Sequence, residues 1–69
     1  MYKEAFGIKL KKAREDAGYT QMQVSHITGI SQAIISNLEN GNREPSIENL
    51  CTLIDFYEVP AYYILGTKK

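Results

Sequence analysis

The sequence predicts an all-α fold, a single domain of five helices that spans residues 1–69. Apolar residues recur at helical spacing in one segment after another, and none of these segments reads convincingly as a strand. Residues that can begin or end a helix separate the segments. Hydrophobic residues make up 43% of the chain and charged residues 23%, which is the ordinary composition of a globular domain.

The first helix is predicted from about Lys3 to Ala17. Its apolar residues are spaced by four, three and four positions and form one stripe along the helix: Phe6, Leu10, Ala13 and Ala17. Gly18 follows directly and is suited to end the helix, because glycine readily adopts the left-handed conformation found after a last helical turn.

Residues 20–41 predict two short helices joined by a tight turn. Thr20 and Gln23 have the spacing of a capping box, and Ser31 can cap the second of the two helices. Gly29 lies where the turn requires a positive φ, and Gly41 closes the segment. The apolar residues follow the helical period and predict these buried positions: Val24, with Ile27 or Thr28, then Ile30, Ile35 and Leu38.

The outer side of the third helix would then carry small or amide-bearing residues, namely Gln32, Ala33, Ser36 and Asn37. A helix that is held at a fixed angle and shows amides outward can read base edges in the major groove of DNA. The segment is therefore interpreted as a helix-turn-helix, although a solvated helix face is the alternative for these four residues.

Two more helices are predicted after a loop at residues 42–46, where Pro45 bars a helix and Ser46 can cap the next one. The fourth helix spans about Ile47 to Tyr57, and its predicted core residues are Ile47, Leu50, Cys51, Ile54 and Tyr57, with Leu53 and Phe56 at the flank. A short fifth helix follows Pro60, from Ala61 to Leu65, and Gly66 is predicted to end it.

The charge distribution bears on a possible nucleic-acid partner. The formal net charge is zero, whereas DNA-binding domains usually carry a basic surface. Residues 1–43 contain six basic and four acidic groups, while residues 44–67 contain four acidic groups and no basic one. The predicted reading helix therefore lies in the more basic part of the chain.

Composition disfavours catalysis, metal binding and a membrane location. One histidine, His26, and one cysteine, Cys51, offer no spacing typical of a metal or catalytic site, so no cofactor is expected. Cys51 is interpreted as a small core residue and His26 as an exposed one. No apolar run approaches the roughly 18 residues of a membrane span, and the start lacks the apolar core of a signal peptide, so a cytoplasmic protein is expected.

Taken in order, the motifs Lys9-Leu-Lys-Lys-Ala-Arg14, Gly18-Tyr-Thr-Gln21, Gly29-Ile-Ser31, Ile35-Ser-Asn-Leu-Glu-Asn-Gly41 and Pro45-Ser-Ile-Glu-Asn-Leu50 carry a family resemblance. With these motifs the chain resembles the Cro/C1-type (XRE-like) transcriptional regulators, which implies a five-helix lambda-repressor-like DNA-binding domain.

The resemblance also implies roles for individual residues. Gln21 matches a glutamine that contacts phosphate and braces the first residue of the reading helix, here Gln32. Arg14 and Glu39 match an ion pair that fastens the first helix to the end of the third. One loop would hold the DNA backbone through its backbone amides and a basic side chain, and its residues are Asn40, Gly41 and Arg43. Lys9 is also expected to approach phosphate, by analogy with the fold.

Three residues depart from the family pattern. Ala33 offers only a methyl group where a polar side chain is common. Ser25 replaces an alanine where the second and third helices cross, so its hydroxyl needs a hydrogen-bond partner. Glu58 stands where many relatives have glycine, and it would be strained by about 1 kcal/mol if that position requires a positive φ.

The aromatic end of the chain predicts a two-fold dimer surface that consists of Tyr57, Tyr62, Tyr63 and Ile64, with capping of the core as the alternative. The function predicted is that of a homodimeric transcriptional regulator, a repressor that binds a palindromic operator in double-stranded DNA. Switching is expected from concentration, proteolysis, or a protein partner such as an anti-repressor. The alternatives are a protein-interaction module with weak or no DNA binding, or an antitoxin.

Overall fold

The computed structural model describes residues 2–65 of the chain, with side chains from Ala5 onward. Within this range the fold is all-α, as predicted, and the helices follow in the order α1 Tyr2–Ala17, α2 Gln21–Thr28, α3 Gln32–Glu39, α4 Ile47–Tyr57 and α5 Ala61–Leu65. The predicted end of α5 at Gly66 lies outside the described residues. None of the described helices is both long and apolar enough to span a membrane.

The predicted helix caps are confirmed. The Thr20 hydroxyl accepts a hydrogen bond from the Gln23 amide at 3.1 Å, and the Gln23 side chain accepts one from the Thr20 amide at 2.8 Å. Ser31 caps α3 and Ser46 caps α4, each accepting from a backbone amide three residues later at 3.1 Å. These bonds satisfy amides that the first turn of a helix leaves unpaired.

Two glycines fix the arrangement of the first three helices. Gly29 has φ 81° at the turn between α2 and α3, as predicted. Gly7 lies where α1 crosses the end of α3, and a Cβ at this position would come within 2.5 Å of the Leu38 carbonyl oxygen. The two helices therefore approach each other closely because Gly7 has no side chain.

The core lies between α1 and the other helices. α1 packs against α3, α4 and α5, and α2 packs against α3 and α4. The buried apolar residues come from all five helices and the turn at Ile30: Leu10, Ala13, Val24, Ile30, Ile35, Leu38, Leu53, Tyr57 and Ile64. The burial predicted for Val24, Ile30, Ile35 and Leu38 is confirmed.

The predicted buried side of α4 is wrong in part. Ile47 is 78% exposed and Cys51 is also exposed, whereas Leu53, predicted at the flank, is only 1% exposed. Leu50 and Ile54 are half-buried. Because α4 has apolar residues around much of its circumference, its periodicity alone does not determine which side meets the core.

One smaller prediction of burial is corrected, and one pair of alternatives is decided. Ala17 is exposed, so the α1 stripe ends at Ala13. Ile27 is 55% exposed, and Thr28 is the half-buried member of that pair. The Thr28 hydroxyl donates to the Val24 carbonyl at 2.7 Å and accepts from the Ile30 amide at 3.2 Å. These bonds stabilise the end of α2 and the start of the turn.

Candidate nucleic-acid interface

The four residues predicted to read bases lie together on the outer side of α3. Gln32 and Ala33 are exposed, and Ser36 and Asn37 are half-buried. At about 100° per residue they cover an arc of about 140°. We call them the α3 reading face: Gln32, Ala33, Ser36 and Asn37. The opposite side of α3 is anchored by Ile35 and Leu38, each 1% exposed, so the core determines which side faces outward.

Hydrogen bonds constrain one end of the α3 reading face. The Asn40 side-chain amide donates to the Ser36 hydroxyl, and the Asn42 side-chain amide donates to the Asn37 side-chain oxygen, both at 3.4 Å. With its oxygen engaged, Asn37 presents mainly its amide nitrogen, which is a hydrogen-bond donor. Gln32 is exposed, and its side chain makes no hydrogen bond with any of the side chains described from residue 5 to residue 65, so its amide is available to a partner.

The loop after α3 differs from the prediction. Its backbone amides at Asn40, Gly41 and Asn42 donate at 2.9, 3.2 and 2.9 Å to carbonyls of α3, namely those of Ser36, Leu38 and Asn37. Gly41 is also buried. The last carbonyls of a helix need donors, and these amides supply them. The Asn40 and Gly41 amides are therefore not free to hold phosphate, whereas the Arg43 side chain is exposed beside them.

Arg14 and Glu39 form the predicted ion pair between α1 and the end of α3. Arg14 Nε donates to Glu39 Oε2 at 2.8 Å and Arg14 Nη2 donates to Glu39 Oε1 at 3.0 Å. A third bond runs from Arg14 Nη1 to the Tyr19 carbonyl at 2.8 Å. The side chains are 11% and 2% exposed. The hydrogen bond to Glu39 raises the pKa of Arg14 above its ordinary value.

Gln21 does not brace Gln32 in the structure. Its side-chain nitrogen donates instead to Glu39 Oε1 at 3.0 Å, and the residue is half-buried. Glu39 thus connects the start of α2 and the last turn of α1 to the end of α3. Sequence spacing gave no signal for the Gln21–Glu39 bond, because the two residues are 18 positions apart and meet only after the turn folds α3 back.

Lys9 does not join the α3 reading face. Its ammonium donates to the Tyr63 carbonyl at 3.2 Å and lies 4.8 Å from the centre of the Tyr63 ring. Lys9 is two residues from Gly7, or about 200° around α1, so it faces α5 while Gly7 faces α3. The contact of Lys9 with phosphate stays a prediction, and in this structure Lys9 lies against Tyr63.

The predicted dimer residues divide between core and surface. Tyr57 is 7% exposed and Ile64 is 1% exposed, so both lie in the core, and their assignment to a dimer surface is wrong. Tyr63 is half-buried under Lys9, while Tyr62 is 61% exposed and Leu65 is 40% exposed. A short helix at the surface buries only one of its sides, and on α5 the buried side includes Ile64 while Tyr62 lies on the exposed side.

Tyr57 also lies close to the charges of the ion pair. Burial of the phenol, together with the negative charge of Glu39, raises the pKa of Tyr57 to about 12, and the positive charge of Arg14 opposes this in part. The Tyr57 hydroxyl is therefore neutral at physiological pH. Among residues 2–65 the structure contains no group of three His, Cys, Asp or Glu side chains that could hold a metal ion.

The chain matches the family model HTH_3, described as helix-turn-helix, over residues 10–64. It is 37% identical over 62 residues to the HTH-type transcriptional regulator ImmR of Bacillus subtilis (strain 168), which covers 90% of this chain and 49% of ImmR.

A second relative comes from the same organism. The chain is 32% identical over 60 residues to the SPbeta prophage-derived uncharacterized HTH-type transcriptional regulator YonR, covering 87% of this chain and 56% of YonR. The chain thus spans about half the length of the curated relatives it matches.

Proposed function

Because this chain belongs to the helix-turn-helix family HTH_3, we propose that it is a sequence-specific DNA-binding transcriptional regulator, and that it acts as a homodimeric repressor by occupying a palindromic operator. Both relatives are named as HTH-type transcriptional regulators, which supports the regulatory part of this proposal and favours binding over catalysis. The observation that carries it is the α3 reading face, an uncharged strip of amide, methyl and hydroxyl groups.

The chemistry of the α3 reading face suits base edges. The free Gln32 amide can pair with adenine through its N6 and N7 atoms, which need one acceptor and one donor from the protein. The Asn37 amide nitrogen can donate to a purine N7, and the Ala33 methyl can contact a thymine methyl. Arg43, exposed at the end of the same helix, is placed to contact phosphate, which sets register rather than sequence.

The Arg14–Glu39–Gln21 network supports recognition by fixing the orientation of α3. Three hydrogen bonds of 2.8 to 3.0 Å meet on one carboxylate at the last residue of the helix. The other end of α3 begins at the Ser31 cap, directly after the turn at Gly29. A reading helix that is held at both ends loses little conformational entropy when it binds, so its contacts contribute more fully to affinity.

Dimerisation is proposed because one reading helix covers only half of an operator. Two copies related by a two-fold axis place their reading helices in successive major grooves about 34 Å apart. The exposed part of α5 is the candidate interface, with Tyr62 at its centre and Leu65 beside it. Sedimentation at about 100 μM protein should show a dimer that Tyr62→Ala weakens, and a strictly monomeric protein would remove this part of the proposal.

The scarcity of free positive charge favours a second candidate. Arg14 is paired with the Glu39 carboxylate, and Lys9, which keeps its charge, lies against Tyr63 rather than beside the α3 reading face. A protein-interaction module that retains this fold would need no phosphate contacts. Salt distinguishes the two: DNA binding through several phosphates weakens steeply as salt increases, whereas the protein-binding module would show only weak retention on DNA that changes little with salt.

The test of DNA recognition is selection of bound duplexes from a random pool at near-physiological salt. We expect an enriched palindrome whose half-sites are centred about 10 base pairs apart. Gln32→Ala should relax one position in each half-site, and Arg43→Ala should weaken all sequences alike and lower the salt slope by about 1. Met22→Ala, an exposed change on α2, is the control. No enrichment from folded protein would favour the protein-binding module.

A further inference from the structure

Beside its core-facing side, α4 carries a row of apolar residues, of which two are exposed and two pack in part against the core. Ile47 is 78% exposed and Cys51 is exposed, and Leu50 and Ile54 complete the row at half-buried positions. Spacings of three and four residues place these side chains along one edge of the helix. We call this row the α4 stripe: Ile47, Leu50, Cys51 and Ile54.

Acidic side chains border the α4 stripe along its outer edge. Glu48 and Asp55 are exposed and lie two helical turns apart, or about 10 Å along the axis. Glu44 before the helix and Glu58 at its end are exposed as well. Residues 44–65 contain no lysine or arginine, so the charged groups that α4 itself carries are all acidic.

We propose that the α4 stripe is a docking surface for a partner protein, which would contribute an amphipathic helix whose apolar side is flanked by lysines or arginines. Burying Ile47 against such a helix removes a large apolar side chain from water, which favours association. The flanking cations would meet Glu48 and Asp55, and this complementarity would set the orientation and speed of encounter. This surface lies on α4, whereas the proposed DNA contact lies on α3.

Charge disfavours the other occupants of this surface. A second copy docked antiparallel through α4 would place the acidic groups of both chains at one interface, and like charges brought together there oppose binding. Nucleic acid is repelled for the same reason, since its phosphates carry negative charge. An amphipathic cationic helix can bury its apolar side against the α4 stripe and pair its charges with the acidic side chains beside it.

The probe is a synthetic 18-residue peptide with leucines at helical spacing and lysines at the flanking positions, titrated into the full chain without DNA. Binding is followed by fluorescence anisotropy, and the site is located by amide chemical shifts. We expect shift changes centred on residues 47–55 and at least tenfold weaker binding for the lysine-to-glutamate version of the peptide. A spin label attached to the peptide should broaden the resonances of residues 47–55.

The matched variants are Ile47→Gln and Met22→Gln, since both remove an exposed apolar side chain, at 78% and 66% exposure, but from different helices. We expect Ile47→Gln to weaken peptide binding at least tenfold, Met22→Gln to leave it within twofold, and Asp55→Lys to weaken it while reducing its salt dependence. DNA binding by Ile47→Gln should equal that of the wild type, which separates this test from that of the proposed function.

Four results would overturn the inference. These are equal binding by Ile47→Gln, equal binding of the acidic peptide, shift changes centred on α2, and peptide-independent dimers that cross-link through Cys51. A loss of DNA binding together with peptide binding in Ile47→Gln would also count against it, because the change would then act on the whole domain.

Discussion

α3 and α4 are built alike on their inner sides and differ on their outer sides. Each begins at a serine cap, and each buries leucine, at Leu38 and at Leu53, with 1% exposure. The outer side of α3 shows amides and a hydroxyl, whereas that of α4 shows Ile47 between acidic groups. The inner sides account for the fold, and the outer sides suit two different kinds of partner.

The two helices are also held in different ways. The end of α3 is fixed by directed bonds, since the Glu39 carboxylate accepts from both Arg14 and Gln21. α4 is held by the packing of Leu53 and Tyr57 in the core. Directed bonds fix the rotation and tilt of a helix together, as the proposed base recognition by α3 requires, while apolar packing is less demanding of geometry. The contrast predicts different responses to substitution.

The largest effect is expected at Glu39. Glu39→Ala leaves Arg14 buried without its partner, which should lower the free energy of unfolding by about 3–5 kcal/mol. Urea denaturation at pH 7 measures this, with exposed Glu15→Ala as the control. In the Glu39→Ala background, Arg14→Met should lower the free energy of unfolding far less than it does in the wild type. If the two losses were additive, the two residues would stabilise the fold independently.

A paired substitution tests the two sides of α4. Leu53→Ala should lower the free energy of unfolding by about 2–5 kcal/mol, because it leaves a cavity in the core. Ile47→Ala should stay within about 0.5 kcal/mol, since the side chain is already in water. Equal losses in urea denaturation would contradict the burial of Leu53 and the exposure of Ile47.

Tyr57 links α4 to the charges at the end of α3 and predicts an alkaline response. Its pKa of about 12 in the folded state exceeds the ordinary value of 10.0, so folding favours the neutral phenol. The resulting stability is complete below pH 10 and is lost as the pH rises from 10 to 12, by at most about 3 kcal/mol.

Tyr57→Phe should remove this part of the alkaline loss. Urea denaturation at pH 8 and at pH 11.5 measures it, because the difference in stability between wild type and variant should shift in favour of the variant at the higher pH. A difference that is the same at both values would contradict the assignment to Tyr57.

Gly7→Ala, which adds one methyl group where α1 crosses α3, should destabilise the fold. Alanine normally favours a helix over glycine, by about 1 kcal/mol. At Gly7 the new Cβ would lie 2.5 Å from the Leu38 carbonyl oxygen and 2.6 Å from that of Glu39. The helices must then separate, so we expect a net loss of about 1–2 kcal/mol in thermal unfolding. Ile8→Ala, at a 65% exposed position, is the matched control.

The smallest effect is expected where α4 ends. Glu58 has φ 58° and ψ 44°, the left-handed conformation that the family pattern suggested for this position. Glu58→Gly should relieve that strain and raise the free energy of unfolding by up to about 1 kcal/mol. Glu58→Ala removes the same charge but keeps a Cβ, so a gain in this variant as well would point to charge rather than backbone strain.

Local sequence signals predicted the helices and their ends well. Thr20, Ser31 and Ser46 act through bonds to amides three residues away, so their roles depend on few neighbours. The α3 reading face was predictable for a related reason, because Ile35 and Leu38 leave only one side of α3 free to face outward. The residue-to-base assignments stay predictions.

Several site residues were not predictable from the sequence. The Gln21 bond to Glu39 and the Lys9 bond to Tyr63 join positions 18 and 54 residues apart. The loop amides at Asn40 and Gly41 were predicted to bind phosphate, yet in the structure they donate hydrogen bonds to carbonyls of α3. In each case a long or unpaired polar group had several possible partners, and the folded chain selected one.

The sequence by itself determined the helix order, the caps, the turn at Gly29 and the chemistry of the outer side of α3, because these follow from short-range periodicity and side-chain type. Only the tertiary structure decided which side of α4 is buried, that Tyr57 and Ile64 belong to the core, and that Glu39 joins three helices. Burial is a property of all packed surfaces together, and a helix with apolar residues on two sides can satisfy its local pattern in either orientation.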